Sequence, residues 1–203
     1  MPQIYFEKLK SFCNADIYIW QIEENCDELS ELIADGGILL EEAEKRFKST
    51  NRKKEWLAAR ALLLETPYKG EKILYHRNGK PYLTNNKYIS ISHTYGYVAI
   101  AISNHPVGID LETKERKTFA AIKSYLKPQE IDVLSLSNNQ AEESLLLWCA
   151  KEAAFKLAPE KAIVLKDIGI TKNTNAYIVT YADETAATCK MYISENFVLS
   201  YCE

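Results

Sequence analysis

Glycine and proline are scarce, at 7 and 6 in 203 residues. No linker-like or low-complexity tract stands out, so irregular chain is expected only in short loops. A basic surplus is also missing: 25 Lys and Arg against 28 Asp and Glu give a formal charge of −3. That balance argues against a general nucleic-acid binder, and any anion site must come from local clustering of cations. No apolar run is long enough to span a bilayer, and Met1 to Lys8 lack the apolar stretch of a secretory leader. The expectation is a soluble, unprocessed, cytoplasmic chain with no membrane partner. Paired cysteine spacings are absent too, since Cys13, Cys26, Cys149, Cys189 and Cys202 form no C-x-x-C. This predicts neither a zinc cluster nor a disulfide framework, and favours a reducing compartment. Cys149, inside an apolar helical stretch, reads as a small packing residue rather than a nucleophile.

What is present is ordinary globular material, 47% hydrophobic and 26% charged, enough for one large domain or two small ones. Thirteen Tyr against six Phe suits amphipathic strands beside a partly wet cleft. Ile17 to Trp20 alternate as a strand, and polar, Glu-rich helical pieces follow from Asp27 to Arg46. Residues 52–65 read as a strong helix with Trp56, Ala59, Leu63 and Leu64 on one side, stopped by Thr66-Pro67. Strands are expected over 72–76, 88–93 and 97–103, with a turn at Asn78-Gly79-Lys80-Pro81. Beyond a strand ending near Glu112, short helices at 119–126 and 128–136 precede a longer one at 142–157. Four strands then run over 169–171, 177–181, 189–193 and 197–202. The order helix then antiparallel strands thus occurs twice, and Trp56-Leu57-Ala58-Ala59-Arg60 weakly echoes Trp148-Cys149-Ala150-Lys151-Glu152. The expected fold is α+β: a pseudo-twofold pair of similar halves, 1–105 and 106–203, each a helix on a small mostly antiparallel sheet, with the active site between the halves.

Two runs carry the chemistry. In Val107-Gly108-Ile109-Asp110-Leu111-Glu112, the carboxylates at i and i+2 of a strand leave one face. In Trp148-Cys149-Ala150-Lys151-Glu152-Ala153-Ala154-Phe155-Lys156, Glu152 and Lys156 are four apart and share one side of a helix. Each run alone has a bland reading, a solvated turn and a salt-bridged helix surface. Together, three acids and a lysine around a phosphorylated substrate call for a hard divalent cation held by few carboxylates and completed by water. Asp110, Glu112 and Glu152 are the candidate metal ligands, for Mg²⁺ with Mn²⁺ chemically admissible. The expected substrate is a phosphate or pyrophosphate ester.

Gly108-Ile109-Asp110-Leu111-Glu112, followed about forty residues later by Trp148-x-x-Lys151-Glu152-Ala153-x-x-Lys156, resembles the 4′-phosphopantetheinyl transferase superfamily. The length and the two halves in one chain resemble its surfactin-synthetase-activating type. Supporting blocks fall in the family's order: Arg52-x-x-Glu55-Trp56-Leu57-Ala58-Ala59-Arg60, Gly79-Lys80-Pro81-Tyr82, and Ile89-Ser90-Ile91-Ser92-His93-Thr94. The resemblance covers residues 45 to 157.

It implies transfer of the 4′-phosphopantetheine arm of coenzyme A, the co-substrate, to a serine of an apo acyl or peptidyl carrier protein, releasing 3′,5′-ADP. Lys156 would offset charge on the α-phosphate. Glu152 would take the serine proton or serve as third metal ligand, and tight coordination would weaken it as a base. Arg52 and Arg60, about two helical turns apart, could flank the 3′-phosphate. Ser92, His93 and the turn residue Lys80 match the family's nucleotide-side contacts and place them in the first half. One departure is that no glycine follows Lys156 before Gly169, so Pro159 is expected to end the helix instead. Lys117 to Lys127 mix lysines with hydrophobes. They either offer an acidic carrier a docking patch or bury Phe119, Ile122 and Leu126 against the helix at 142–157. The runner-up reading is a catalytically silent coenzyme A-binding or carrier-docking protein. The expected state is a monomer.

Overall fold

The computed structural model describes residues 14–162, 164–174 and 176–203. The expected leader-free start and Cys13 lie outside them. The chain forms two compact units, divided between Asn104 and His105.

The first unit contains β1 (Asp16–Gln21), α1 (Cys26–Glu31), α2 (Gly36–Arg46), α3 (Thr50–Leu64), β2 (Ile73–Tyr75), β3 (Pro81–Leu83), β4 (Tyr88–Thr94) and β5 (Tyr97–Ser103). Its sheet has the order β1-β5-β4-β3-β2, antiparallel throughout. Asn25 caps α1 by accepting from the Asp27 and Glu28 amides while Glu28 reaches back to Asn25, so the first turn loses few hydrogen bonds. The β4–β5 hairpin turns through Tyr95-Gly96, where Gly96 takes a φ of 74° that a side chain resists. Alternation along β1 and β5 puts Tyr18, Trp20, Val98, Ile100 and Ile102 into one core with Trp56, Leu57 and Leu62 of α3. α3 is buried over more than the single side its sequence pattern marks, with Leu57, Ala58 and Leu62 fully enclosed.

The second unit contains β6 (Gly108–Thr113), a 3₁₀ turn (Phe119–Ala121), α4 (Ile122–Tyr125), α5 (Pro128–Ser135) and α6 (Gln140–Leu157). After two further 3₁₀ turns come β7 (Gly169–Lys172), β8 (Tyr177–Thr180), β9 (Ala186–Ile193) and β10 (Phe197–Cys202). Its antiparallel sheet has the order β6-β10-β9-β8-β7. Counted from each unit's first strand this repeats the first unit, and in both the long helix falls between the first strand and the second. α6 ends at Leu157 and Pro159 opens a 3₁₀ turn, so proline stops the helix where the family's glycine is missing. Among the described residues no helix is long and apolar enough to cross a membrane.

Two expectations need correction or division. Cys189 and Cys202, read as unpaired, are direct register partners on β9 and β10, and their sulfurs form a disulfide. Register, not sequence spacing, decides which cysteines meet, and thirteen residues of hairpin bring these two together. Cys26 and Cys149 are free cysteines. In the 117–127 segment, Tyr125 and Leu126 are buried and Ile122 packs on the core, whereas Lys117, Phe119 and Lys123 are exposed. The burial reading therefore holds for Ile122 and Leu126 and not for Phe119.

Candidate active site

β6 positions the acids. Gly108, Asp110 and Glu112 share the strand face toward α6, and Asp110 and Glu112 are both buried. Gly108 makes the approach feasible: a Cβ there would stand 1.9 Å from the Ala153 carbonyl and 2.7 Å from the Leu157 amide. The helix can therefore lie directly on the strand, with its last two turns over the acids.

From those turns Lys156 Nζ donates to Asp110 Oδ1 at 2.7 Å. Glu152, one turn earlier, is mostly buried. Burial first, and then the Asp110 charge, push its carboxyl above the usual range, while Lys156 and Arg116 pull it back. Glu112 is held from two sides. Trp148 Nε1 donates to its Oε1 at 3.1 Å, and Arg116 Nε stands 3.1 Å from the same oxygen. The Arg116 guanidinium also lies 5.2 Å from the Trp148 ring, which meets Tyr125 edge-on at 5.1 Å. Trp148, expected as plain core, thus reaches the acid site, and Arg116 was not foreseen at all. Its one sequence signal was its i+4 distance from Glu112. Cys149 is wholly buried, and burial pushes its thiol well above the ordinary range, so it is no thiolate nucleophile.

Among the described residues, no three His, Cys, Asp or Glu side chains gather so as to hold a metal ion. The donor chemistry nevertheless fits Mg²⁺. Asp110 and Glu112 supply hard oxygens, and Glu152, whose carboxyl is raised chiefly by burial and then by the Asp110 charge, faces a like charge there. A hydrated cation, which needs only one or two carboxylates directly, would relieve that repulsion.

The first unit brings together some of its expected anion ligands. Arg52 Nη1 donates to Glu55 Oε2 at 3.1 Å and contacts the His93 ring through Nε2. Glu55 Oε2 is itself 3.1 Å from His93 Nδ1. Burial holds the Glu55 carboxyl above its usual range against the pull of Arg52. Arg60 is elsewhere occupied: its guanidinium stacks on Trp56 at 3.3 Å from the ring centroid and donates to the Trp56 carbonyl at 3.0 Å. Ser92 is buried on the face of β4 opposite His93, because neighbours on a strand alternate. Lys80 sits in the β2–β3 turn, its amide donating to Asn78 Oδ1 at 3.1 Å.

Residues 106–202 match the family model described as 4′-phosphopantetheinyl transferase superfamily. The second unit is thus similar to that superfamily over nearly its whole length. It is 30% identical over 132 residues, 63% of this chain, to "4′-phosphopantetheinyl transferase gsp" of Aneurinibacillus migulanus. It is 30% identical over 84 residues, 39% of this chain, to "4′-phosphopantetheinyl transferase" of Bacillus subtilis. These matches span 55% and 38% of the relatives' own lengths. The superfamily match covers β6 and α6 together, the elements that carry all three acids and Lys156.

Proposed function

We propose that this chain transfers the 4′-phosphopantetheine arm of coenzyme A to a serine hydroxyl of an apo acyl or peptidyl carrier protein, releasing 3′,5′-ADP. The observation that carries the reading is the Lys156–Asp110 contact at 2.7 Å with Glu152 beside it, inside the stretch that matches the superfamily. Lys156 is a cation already paired with an anion. A phosphate oxygen can take over as its partner, and the ammonium then offsets charge as the pyrophosphate bond breaks. Glu152, with its carboxyl raised by burial, is a better proton acceptor than an exposed glutamate and takes the proton of the attacking serine. The serine oxygen bonds to phosphorus, and the oxygen that leaves stays with 3′,5′-ADP.

Asp110 and Glu112, with Glu152, would hold Mg²⁺ or Mn²⁺; when bound, the ion supplies positive charge against the pyrophosphate oxygens. In the first unit, Arg52 and His93 are assigned to the 3′-phosphate, a dianion that would replace Glu55 as their shared partner. Arg60, the second arginine of the α3 pair, is assigned with them to that phosphate, and Lys80 and Ser92 are assigned to the rest of the nucleotide. Carrier docking is assigned to the exposed part of 117–127. There Lys117 and Phe119 line an open groove of 590 Å³ that Lys114 and Arg116 also border. The enzyme would act as a cytoplasmic monomer.

Incubation with coenzyme A, Mg²⁺ and a panel of apo carriers, read by intact mass, tests the proposal. The expected result is a gain of one phosphopantetheine on at least one carrier, absent with Asp110→Ala. No gain on any carrier would overturn it and favour the silent binding reading.

A further inference from the structure

Lys151 stands immediately before Glu152, in a stretch whose sequence reads as a salt-bridged helix surface. Its side chain is instead wholly buried. Nζ donates to the Tyr125 carbonyl at 2.8 Å and to Glu130 Oε2 at 2.6 Å. Glu130 is engaged in turn, its Oε1 accepting from the Ile170 amide at 2.9 Å and its Oε2 from the Lys127 amide at 2.7 Å. One ion pair thus ties α6 to the end of α4, the first turn of α5 and the start of β7. By the helix echo, the first unit carries Ala59 at this place, and it is buried without any polar partner being needed.

A buried ion pair is a poor device for stability, since desolvation offsets most of the attraction. It is a good device for fixing orientation. At 100° per residue, Glu152 lies 100° around α6 from Lys151, and Lys156 a further 40°. Whatever fixes the Lys151 direction therefore fixes both site side chains together. A rotation of α6 by about 20° would carry their tips roughly 2 Å, given a helix radius with side chains of about 5–6 Å. Displacements of about 1 Å already cost on the order of 100-fold in rate.

We propose that Lys151 is a positioning residue: paired with Glu130, it sets the rotation of α6, and so where Glu152 and Lys156 point, without touching substrate. This rests on the transferase reading above. The test is the double variant Lys151→Met/Glu130→Gln, which removes both charges yet leaves an acceptor for the Ile170 or Lys127 amide. The expected result is a cooperative melt close to wild type and a KM for coenzyme A within about threefold. Its kcat is expected to be lower by on the order of 100-fold. A folded double variant with wild-type kcat, or one that raises KM while sparing kcat, would overturn the proposal. Glu130→Gln alone, which keeps the hydrogen bonds and loses only the charge, is expected to lower kcat less and leave KM unchanged. It serves if the double variant does not fold, and an unchanged kcat there overturns the proposal. Wild-type protein that loads no carrier would count against the transferase reading, not this one. Crystal structures of wild type and variants are then the independent measure. Loss of the Lys156–Asp110 contact in the variant is expected, and an unmoved α6 with that contact intact overturns the proposal.

Discussion

Tyr18 and Trp20 of the first unit occupy the strand positions that Asp110 and Glu112 occupy in the second. In each unit the first strand pairs with the last, and the registers match: Tyr18 opposite Ile100 and Trp20 opposite Val98, Asp110 opposite Ser200 and Glu112 opposite Val198. Gly108 falls where the first unit has Asp16. One topology therefore supports two kinds of interior under its long helix. The first unit fills the space with aromatic and branched side chains. The second places charge there and answers it with Lys156, Arg116 and the Trp148 indole. A site needs both the acids and the groups that make their burial tolerable, and among the described residues only the second unit has the set.

The strongest way to break this comparison is to give the first unit the second unit's residue. Trp20→Glu loses a buried indole, about 3–5 kcal/mol, and adds a buried charge. The first unit is expected to lose its cooperative urea transition, and a transition within about 1 kcal/mol of wild type would refute the contrast. Next in size, Gly108→Ala drives a Cβ into the α6 backbone and is expected to cost about 3 kcal/mol in the same measurement. Asp16, at the equivalent place, accommodates a side chain and accepts from the Tyr68 hydroxyl at 2.8 Å.

Ser200 sharpens the comparison more gently. Its hydroxyl is fully buried without a hydrogen-bond partner among the described residues, where the first unit has Ile100. Ser200→Ala is expected to be neutral or stabilising by up to about 1 kcal/mol, because an unsatisfied buried hydroxyl is removed. A larger loss would mean the hydroxyl is used.

The smallest effect is expected at Glu55, a partly buried acid of the first unit. Its folded-state pKa lies above the ordinary 4.5, so the folded protein holds a proton that the unfolded chain releases in that window. Stability from this group is complete below the ordinary value and is lost as pH rises through the folded value. Glu55→Gln should therefore melt slightly higher than wild type at neutral pH, with the difference vanishing below about pH 4. A difference that grows on acidification would contradict the assignment.

Much of this was legible in local pattern. Alternation marked β1, β5 and β10, proline marked the end of α6, and the i,i+2 and i,i+4 spacings marked Asp110, Glu112, Glu152 and Lys156 as sharing faces. What escaped was set by contacts distant in sequence. The Cys189–Cys202 bond depends on hairpin register, and the burial of Lys151 depends on Glu130, twenty-one residues away. Trp148 gave only its size, because an indole N–H finds its acceptor by where a strand lies. The spacing of Arg60 to Arg52 was legible, but not that its guanidinium stacks on Trp56, the aromatic one turn back.

Glu152 tests the central claim, a transferase whose chemistry lies in the second unit. Glu152→Gln, measured by calorimetry with coenzyme A and by single-turnover loading of an apo carrier, is expected to keep coenzyme A binding measurable while loading disappears. Loading by the variant at the wild-type rate would contradict the account.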